Sequence, residues 1–348
     1  MDKVVVVVGL IVIVVGALLY YALTEIEKVV YSKQEEEELP SYTKSSIVFY
    51  NITYTIKAKY LVVNRYKITM KDYVYIALPR NTTYQYSRLV SMNPKPIKID
   101  KDDDGNVFAV VIVEAKPGEK IWIEAVYSVR VSGYKIFFNV NESLWPEYPV
   151  VRKLTSKTNF WNTENEEIIN LAYRIKKGDT PLEVALSVAK WVRRHMSYQV
   201  IGYRLGSDRA LVRTFMGDYI IQGDCTEIAD VYVTLMRILG VPARTVFGIL
   251  LTEHKSKLWI NMTTAHREGI ELIKHWGGHM WSQVYLPPWG WVDVEMLEEL
   301  RVKLGEYSNY HIIFGIEETK YYGTSLGGFC IPSYLYLEYI EMKFEPSG

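Results

Sequence analysis

The sequence predicts an α+β chain in three parts: a membrane helix at the start, a β-sandwich, and behind it a mixed domain of helices and strands. Three observations carry that reading. Val4–Leu23 is a run of twenty residues without a charge. From Ser45 to about Val140 the apolar period is two. From about residue 166 onward, helical spacing alternates with short strand-like runs.

Length and composition set the limits. With 348 residues, 49% of them apolar and 23% charged, the chain buries more than one core and is not a disordered protein. Forty acidic and forty basic side chains cancel, and no basic stripe stands out, which argues against a nucleic-acid partner. Two cysteines build neither a disulfide scaffold nor a four-cysteine zinc site. A Cys225–Cys330 disulfide is arithmetically open, but it would silence the nucleophile argued for below and is disfavoured.

The run Val4–Leu23 suits the ~30 Å of hydrocarbon that a helix of about twenty residues crosses. A cleaved signal peptide is the competing reading, although its apolar region is shorter, roughly 7 to 15 residues. Lys3 and the terminal amine precede the run, which favours the N-terminus inside and the body outside. The expected organisation is therefore a cytoplasmic terminus at 1–3, a transmembrane helix at 4–23 and a stalk at 24–43 with the run Glu35–Glu38. A β-sandwich at 44–150, an α+β domain at 151–300 and core-associated C-terminal strands at 301–348 follow. Asn51, Asn81, Asn141 and Asn261 each open an Asn-x-Ser/Thr triplet, compatible with an exported surface.

Within the sandwich, Ile47–Val63, Tyr73–Leu78, Val107–Val113, Ile121–Val131 and Tyr134–Val140 are β-branched and aromatic runs parted by turn formers. Asp100, Asp102, Asp104 and Gly105 imitate the start of a calcium loop. Val111 stands where its bidentate glutamate belongs, so a polar hairpin turn is expected instead. Further on, Ile168, Ile169, Ala172 and Ile175 make an amphipathic helix ended at Gly178, and Thr180-Pro181 opens a second. Residues 202–222 read as a connection carrying Arg209 and Arg213. The polar stretch 252–274 reads as a loop or lid near the cleft.

Chemistry concentrates between Gly223 and Gly248. Ile228, Val231, Tyr232, Leu235, Ile238 and Leu239 share one helix face, Asp224 and Glu227 form a capping box, and Gly240 with Pro242 ends the helix. Cys225 is then the first helical residue. Unpaired N–H groups and the positive dipole end favour its thiolate, so an accessible thiol of lowered pKa is expected. Asp224 and Glu227 carry the wrong sign for this, and a cationic imidazole has to outweigh them.

His275 and His279 are spaced for metal on a helix, but Gly277 and Gly278 undermine that helix and no acidic ligand accompanies them. The better reading starts a strand there, with His279, Trp281, Gln283 and Tyr285 alternating onto one face. Leu286–Gly290 turns the chain, and Trp291–Glu295 returns as a strand. Asp293 and Glu295 project to the same side of it, and either suits His279.

Gly-Asp-Cys before a helix, Gly-Val-Pro-Ala-Arg before a strand, His279-Met280-Trp281, and Trp291 with carboxylates behind it together resemble the transglutaminase-like superfamily of thiol enzymes. The resemblance covers about residues 165–297. It implies a papain-like α+β domain, Cys225 as nucleophile, His279 as general base, a structural Arg244, and Tyr198 near the site. In relatives the acid is commonly an aspartate four residues after the tryptophan. Four after Trp291 is Glu295, whereas the aspartate here is Asp293, so counting favours one and residue type the other.

The reaction so implied is acyl transfer through a thioester, without cofactor or metal. A membrane-anchored extracytoplasmic amide hydrolase acting on envelope or extracellular protein or peptide is the leading expectation. A crosslinking transglutaminase and an idle cell-surface binding protein are the alternatives.

Overall fold

The computed structural model describes residues 44–147, 150–251, 276–297, 301–319 and 329–347, all within one compact unit, Thr43–Gly348. The apolar run at 4–23, the stalk, His275 and the loop at 252–274 lie outside the described residues. Among the described residues no helix is long and apolar enough to cross a membrane.

Six strands come first: β1 (Ser46–Val63), β2 (Met70–Ala77), β3 (Gln85–Asn93), β4 (Lys98–Lys101), β5 (Val107–Ala115) and β6 (Lys120–Phe137). Their alternation sets their faces. In β1, Tyr54, Ile56, Ala58 and Tyr60 are buried while Lys57 and Lys59 point to solvent. Ile121–Val131 and Tyr134–Val140, expected as two strands, form the single strand β6, antiparallel to β1 along its whole length. The reason lies in Gly133. A Cβ there would sit 2.7 Å from the Asn309 amide nitrogen, so the glycine marks a close backbone approach and not a turn. The aspartate segment does turn the chain between β4 and β5, and the Asp104 carboxylate accepts from the Glu318 and Thr319 amides.

Helices then take over. After the short α1 (Val150–Leu154), Asn165 caps α2 (Glu166–Ile175) by accepting from the Glu167 and Ile168 amides. Thr180 and Glu183 form a reciprocal capping box on α3 (Pro181–His195), with Pro181 in the first turn. Residues 202–222, expected to be a plain connection, hold more structure. β7 (Met196–Tyr198), α4 (Ser207–Ala210), β8 (Leu211–Arg213) and β9 (Tyr219–Gly223) give a small sheet in the order β7-β9-β8, with β7 parallel to β9.

α5 (Cys225–Ile238) is the axle of the domain. Every residue from Cys225 to Arg237 is buried, and the helix packs against β9, α2, α3 and α4. On its remaining side lie β10 (Ala243–Leu251) and β11 (Trp276–Leu286). β12 (Gly290–Glu295), β13 (Lys303–Leu304), β14 (Glu306–Tyr307) and β15 (His311–Glu317) follow, then β16 (Cys330–Ile331) and β17 (Tyr336–Ser347).

The sheet behind α5 runs β13-β12-β11-β10-β15. The last strands thread back into the β-rich part: β14 pairs with β6, β17 with β1, and β16 with β2. Cys330 is thus a buried strand residue opposite Ile76, and the disfavoured Cys225–Cys330 disulfide is not formed.

A buried charge cluster pins α5 to β15. Arg204 meets Asp230 of α5 at 2.5 Å and Glu317 of β15 at 2.8 Å, and Trp161 Nε1 donates to Asp230 at 2.8 Å. Such a cluster is tolerated because each charge faces its opposite.

Gly248 sits in the middle of that sheet, between His279 of β11 and Ile313 of β15. A Cβ there would stand 2.0 Å from the Ile312 carbonyl oxygen, a backbone atom with nowhere to go. Gly248→Ala should therefore cost about 1–3 kcal/mol through overpacking, seen as a lower urea midpoint at constant slope. An unchanged midpoint would show that β15 moves aside without cost.

Candidate active site

Each local device in the Gly223–Gly248 stretch has its partner. The Asp224 side chain accepts from the Thr226 amide at 3.0 Å, and Glu227 reaches back to the Asp224 amide at 3.1 Å. The second Glu227 oxygen takes the Leu205 amide at 2.9 Å, tying the preceding loop to the first turn of α5. Cys225 follows the cap, and its sulfur lies against the Met280 backbone N–H of β11, the neighbour of His279.

The β11–β12 register then sorts the two acids. Gln283 pairs with Asp293 and Ser282 with Val294, which carries Glu295 toward the His279 end of the sheet. His279 Nε2 lies 2.6 Å from Glu295 Oε2, and both side chains are buried. Asp293 is held elsewhere: its carboxylate accepts from Trp281 Nε1 at 2.7 Å, Gln283 Nε2 at 2.9 Å and the Tyr134 hydroxyl at 2.5 Å. Asp293 thus ties β11 and β12 to β6, and Glu295 is the acid against the imidazole.

Electrostatics separate the two acids further. Burial pushes both upward. For Glu295 the His279 charge and hydrogen bond, with His311 adding to them, hold the carboxyl well below the usual carboxylate range. For Asp293 the three neutral donors do not offset burial, and its carboxyl stays raised.

The thiol departs from expectation. Cys225 is 4% exposed, and burial first, then the charges of Asp224, Glu227 and Glu295, push its pKa well up, opposed by the Met280 N–H. The accessible, acidified thiol expected from the helix end and His279 together is not what the fold favours, because removal from water pushes the pKa up. Tyr198 stands beside Cys225, and its phenol is raised by burial and by the neighbouring thiol. Its phenol oxygen lies against the Cys225 backbone N–H.

His311, which drew no attention in the sequence, completes the cluster at the start of β15. Its Nε2 lies 3.6 Å from Glu295 Oε2, and donor atoms of His279, Glu295 and His311 all fall within 4.8 Å of one another. Two imidazoles and a carboxylate are also a transition-metal donor set. The 2.6 Å contact, however, is a hydrogen-bond length, shorter than the roughly 3.3 Å between two ligands on one tetrahedral zinc. As placed, His279 and Glu295 are hydrogen-bonded to each other.

Of the remaining expectations, Arg244 is fixed by structural partners. Its Nε donates to Gln283 at 2.9 Å, Nη1 to Glu318 at 2.6 Å, and its guanidinium stacks 3.7 Å from the Trp291 ring centroid.

A family model for the transglutaminase-like superfamily matches residues 169–296, the segment that holds Cys225, His279 and Glu295. The chain carries a transglutaminase-like domain. An uncharacterized protein of Haemophilus influenzae is 30% identical over 133 residues, 37% of this chain and 35% of that one. The chain thus spans about a third of that relative's length. A crystal structure of a proposed cysteine protease from Cytophaga hutchinsonii matches with TM-score 0.54 at 11% identity, over 86% of this chain and 92% of that one. The likeness to that structure is one of fold. It reaches beyond the transglutaminase-like domain into the β-rich part.

Two predictions follow from this geometry. Glu295→Gln should lower turnover about 10²–10⁴-fold, because it removes the charge that orients the imidazole. Asp293→Asn should lose under about tenfold in turnover while costing about 1–3 kcal/mol of stability by mismatching three buried donors. Turnover and thermal melts of both variants decide, and equal effects would mean that neither acid has the role its contacts indicate. Separately, the Cys225 alkylation rate in iodoacetamide should rise with pH through a midpoint above the ordinary ~8.5, since a raised thiol pKa delays the anion. A midpoint below that value would mean a preformed thiolate–imidazolium pair.

Proposed function

We propose that this chain is a membrane-anchored, extracytoplasmic thiol hydrolase that cleaves amide bonds in protein or peptide substrates through a thioester. The observation that carries the reading is the buried 2.6 Å His279–Glu295 pair next to a thiol at the first turn of α5. Nε2 of His279 is engaged by Glu295, so Nδ1 is the ring atom that exchanges a proton with the sulfur. Burial raises the thiol pKa, which favours a transfer that accompanies attack over one that precedes it.

The steps follow from those positions. Cys225 Sγ attacks the carbonyl carbon as its proton passes to His279. The oxyanion is met by the Cys225 backbone N–H and by the Tyr198 hydroxyl, which its raised pKa keeps as a donor. Collapse breaks the C–N bond, and the amine leaves with the proton from His279. Water then gives a proton to the same nitrogen, attacks the thioester and releases a carboxylate and the free thiol. Glu295 stabilises the imidazolium in both halves.

Hydrolysis is favoured over crosslinking because the tryptophans around the site have packing duties. Trp281 donates to Asp293, Trp291 lies under Arg244, and Trp276 packs near Phe329 and Phe344. A transglutaminase must instead hold an amine against the thioester and keep water out. The protease name carried by the Cytophaga hutchinsonii protein agrees with this choice. Membrane anchoring rests on Val4–Leu23, and the outward orientation is supported by the exposed positions of Asn51, Asn81 and Asn141.

Incubating the protein with a peptide mixture and a labelled primary amine should give mainly new carboxyl termini by mass spectrometry, with amine incorporation a minor product. Predominant incorporation would make the protein a transglutaminase. No turnover together with an unreactive Cys225 would leave a binding protein. Protease added to intact cells should also reach the body beyond residue 43, and protection until lysis would overturn the topology.

A further inference from the structure

Glu295 faces a second histidine on the oxygen that His279 uses. His311 comes from β15, outside the matched segment 169–296, and its Nε2 lies 3.6 Å from Oε2, against 2.6 Å for His279 Nε2. The ring is fixed from several sides. Ser308 Oγ lies 2.7 Å from Nδ1, the Tyr307 hydroxyl donates to the His311 carbonyl at 2.9 Å, and Trp281 stands edge-on with centroids 4.9 Å apart. The other carboxylate oxygen, Oε1, accepts the Leu297 amide at 2.7 Å.

We propose that His311 is a positioning residue for the reaction described above, acting through Glu295, and the proposal rests on that reading. Taking the Ser308 hydroxyl as the donor to Nδ1 puts the His311 proton on Nε2, 3.6 Å from Glu295 Oε2, too far for a hydrogen bond but close enough for the N–H dipole to bias that oxygen. A glutamate has one more rotatable bond than an aspartate, and a buried one must be held from more than one side to keep a single carboxylate orientation. The Leu297 amide holds Oε1, and His311 keeps Oε2 turned to His279. The two imidazole centroids are 5.8 Å apart. The rings therefore divide the work: one shuttles the proton, the other steers the acid. Asp293 and Tyr307 also face His311, and neither lies between it and Glu295 Oε2 at the 3.6 Å separation.

The test uses the full-length protein and turnover of p-nitrophenyl acetate, whose deacylation needs the His279 base. His311→Gln carries an N–H about as far as the imidazole Nε2, while His311→Asn stops at the reach of Nδ1. The glutamine variant should keep kcat within about threefold, and the asparagine variant should lose about tenfold with KM within about twofold. In a Glu295→Gln background the asparagine change should add under about twofold, since its effect runs through that carboxylate. Ser308→Ala, which frees the tautomer without touching the core, should cost about threefold in kcat and serves if His311→Asn does not fold.

Equal losses in the glutamine and asparagine variants, or full additivity with Glu295→Gln, would overturn the proposal while leaving the thiol reading in place. An unchanged kcat in Ser308→Ala would count against it in the same way. A His279→Ala protein that turns over like the wild type would instead remove the reading on which it stands.

Discussion

A carboxylate stays ionised inside this protein because it is surrounded by groups that prefer it so. Glu295 is buried, yet two imidazoles and a backbone amide converge on it, and the site depends on that convergence. Bringing them together takes three strands in the right order: β12 for the acid, β11 for the first histidine, β15 for the second. β10 runs between β11 and β15, and only a residue without a side chain fits at position 248 in its middle. Asp293, two residues from Glu295, shows the alternative. Met by neutral donors, it is raised where Glu295 is lowered, and it fastens elements together.

The nucleophile is governed by the opposite balance. A helix terminus contributes about 0.3–1 kcal/mol toward an anion, whereas burying an unpaired charge costs several kcal/mol, so the thiol pKa is pushed up and not down. The acidic cap residues add to this, although they are what starts α5 at Cys225. Helix placement and thiol acidity thus pull against each other in the same three residues. A resting thiol of this kind is protected from adventitious oxidation, because the thiolate is the reactive form.

Local signals were the legible ones. The capping box at Asp224, the Thr180-Pro181 helix start, the glycine beyond α5, and the alternation in β1 and β11 all involve residues within a few positions of each other, and the sequence displays them directly. The transglutaminase-like motifs were legible for the same reason. Hidden were features made by distant chain segments. Gly133 looks like a turn until Asn309 is seen pressed against it. Arg204, Asp230 and Glu317 look like three solvated charges until the fold buries them together. His311 begins an ordinary strand, with nothing nearby to announce that it meets Glu295. Between Asp293 and Glu295 the sequence offered two rules that disagreed, and strand register decided which carboxylate reached the imidazole.

The threading of the last strands bears on how this molecule can be divided. β15 closes one edge of the site's sheet, β14 and β17 are bound into the sheet of β1 and β6, and β16 extends the one beside it. The segment matched by the transglutaminase-like family is therefore not a cassette that can be excised at its sequence boundaries. Cut at residue 296, it would expose the free edge of β10, a row of unpaired backbone groups ready to pair with another chain. A nick in the tail would likewise detach one wall of the active site while leaving the thiol, the first histidine and the acid covalently in place. Limited proteolysis downstream of the matched segment is thus a way to break up the cluster around Glu295 without touching Cys225, His279 or Glu295 itself.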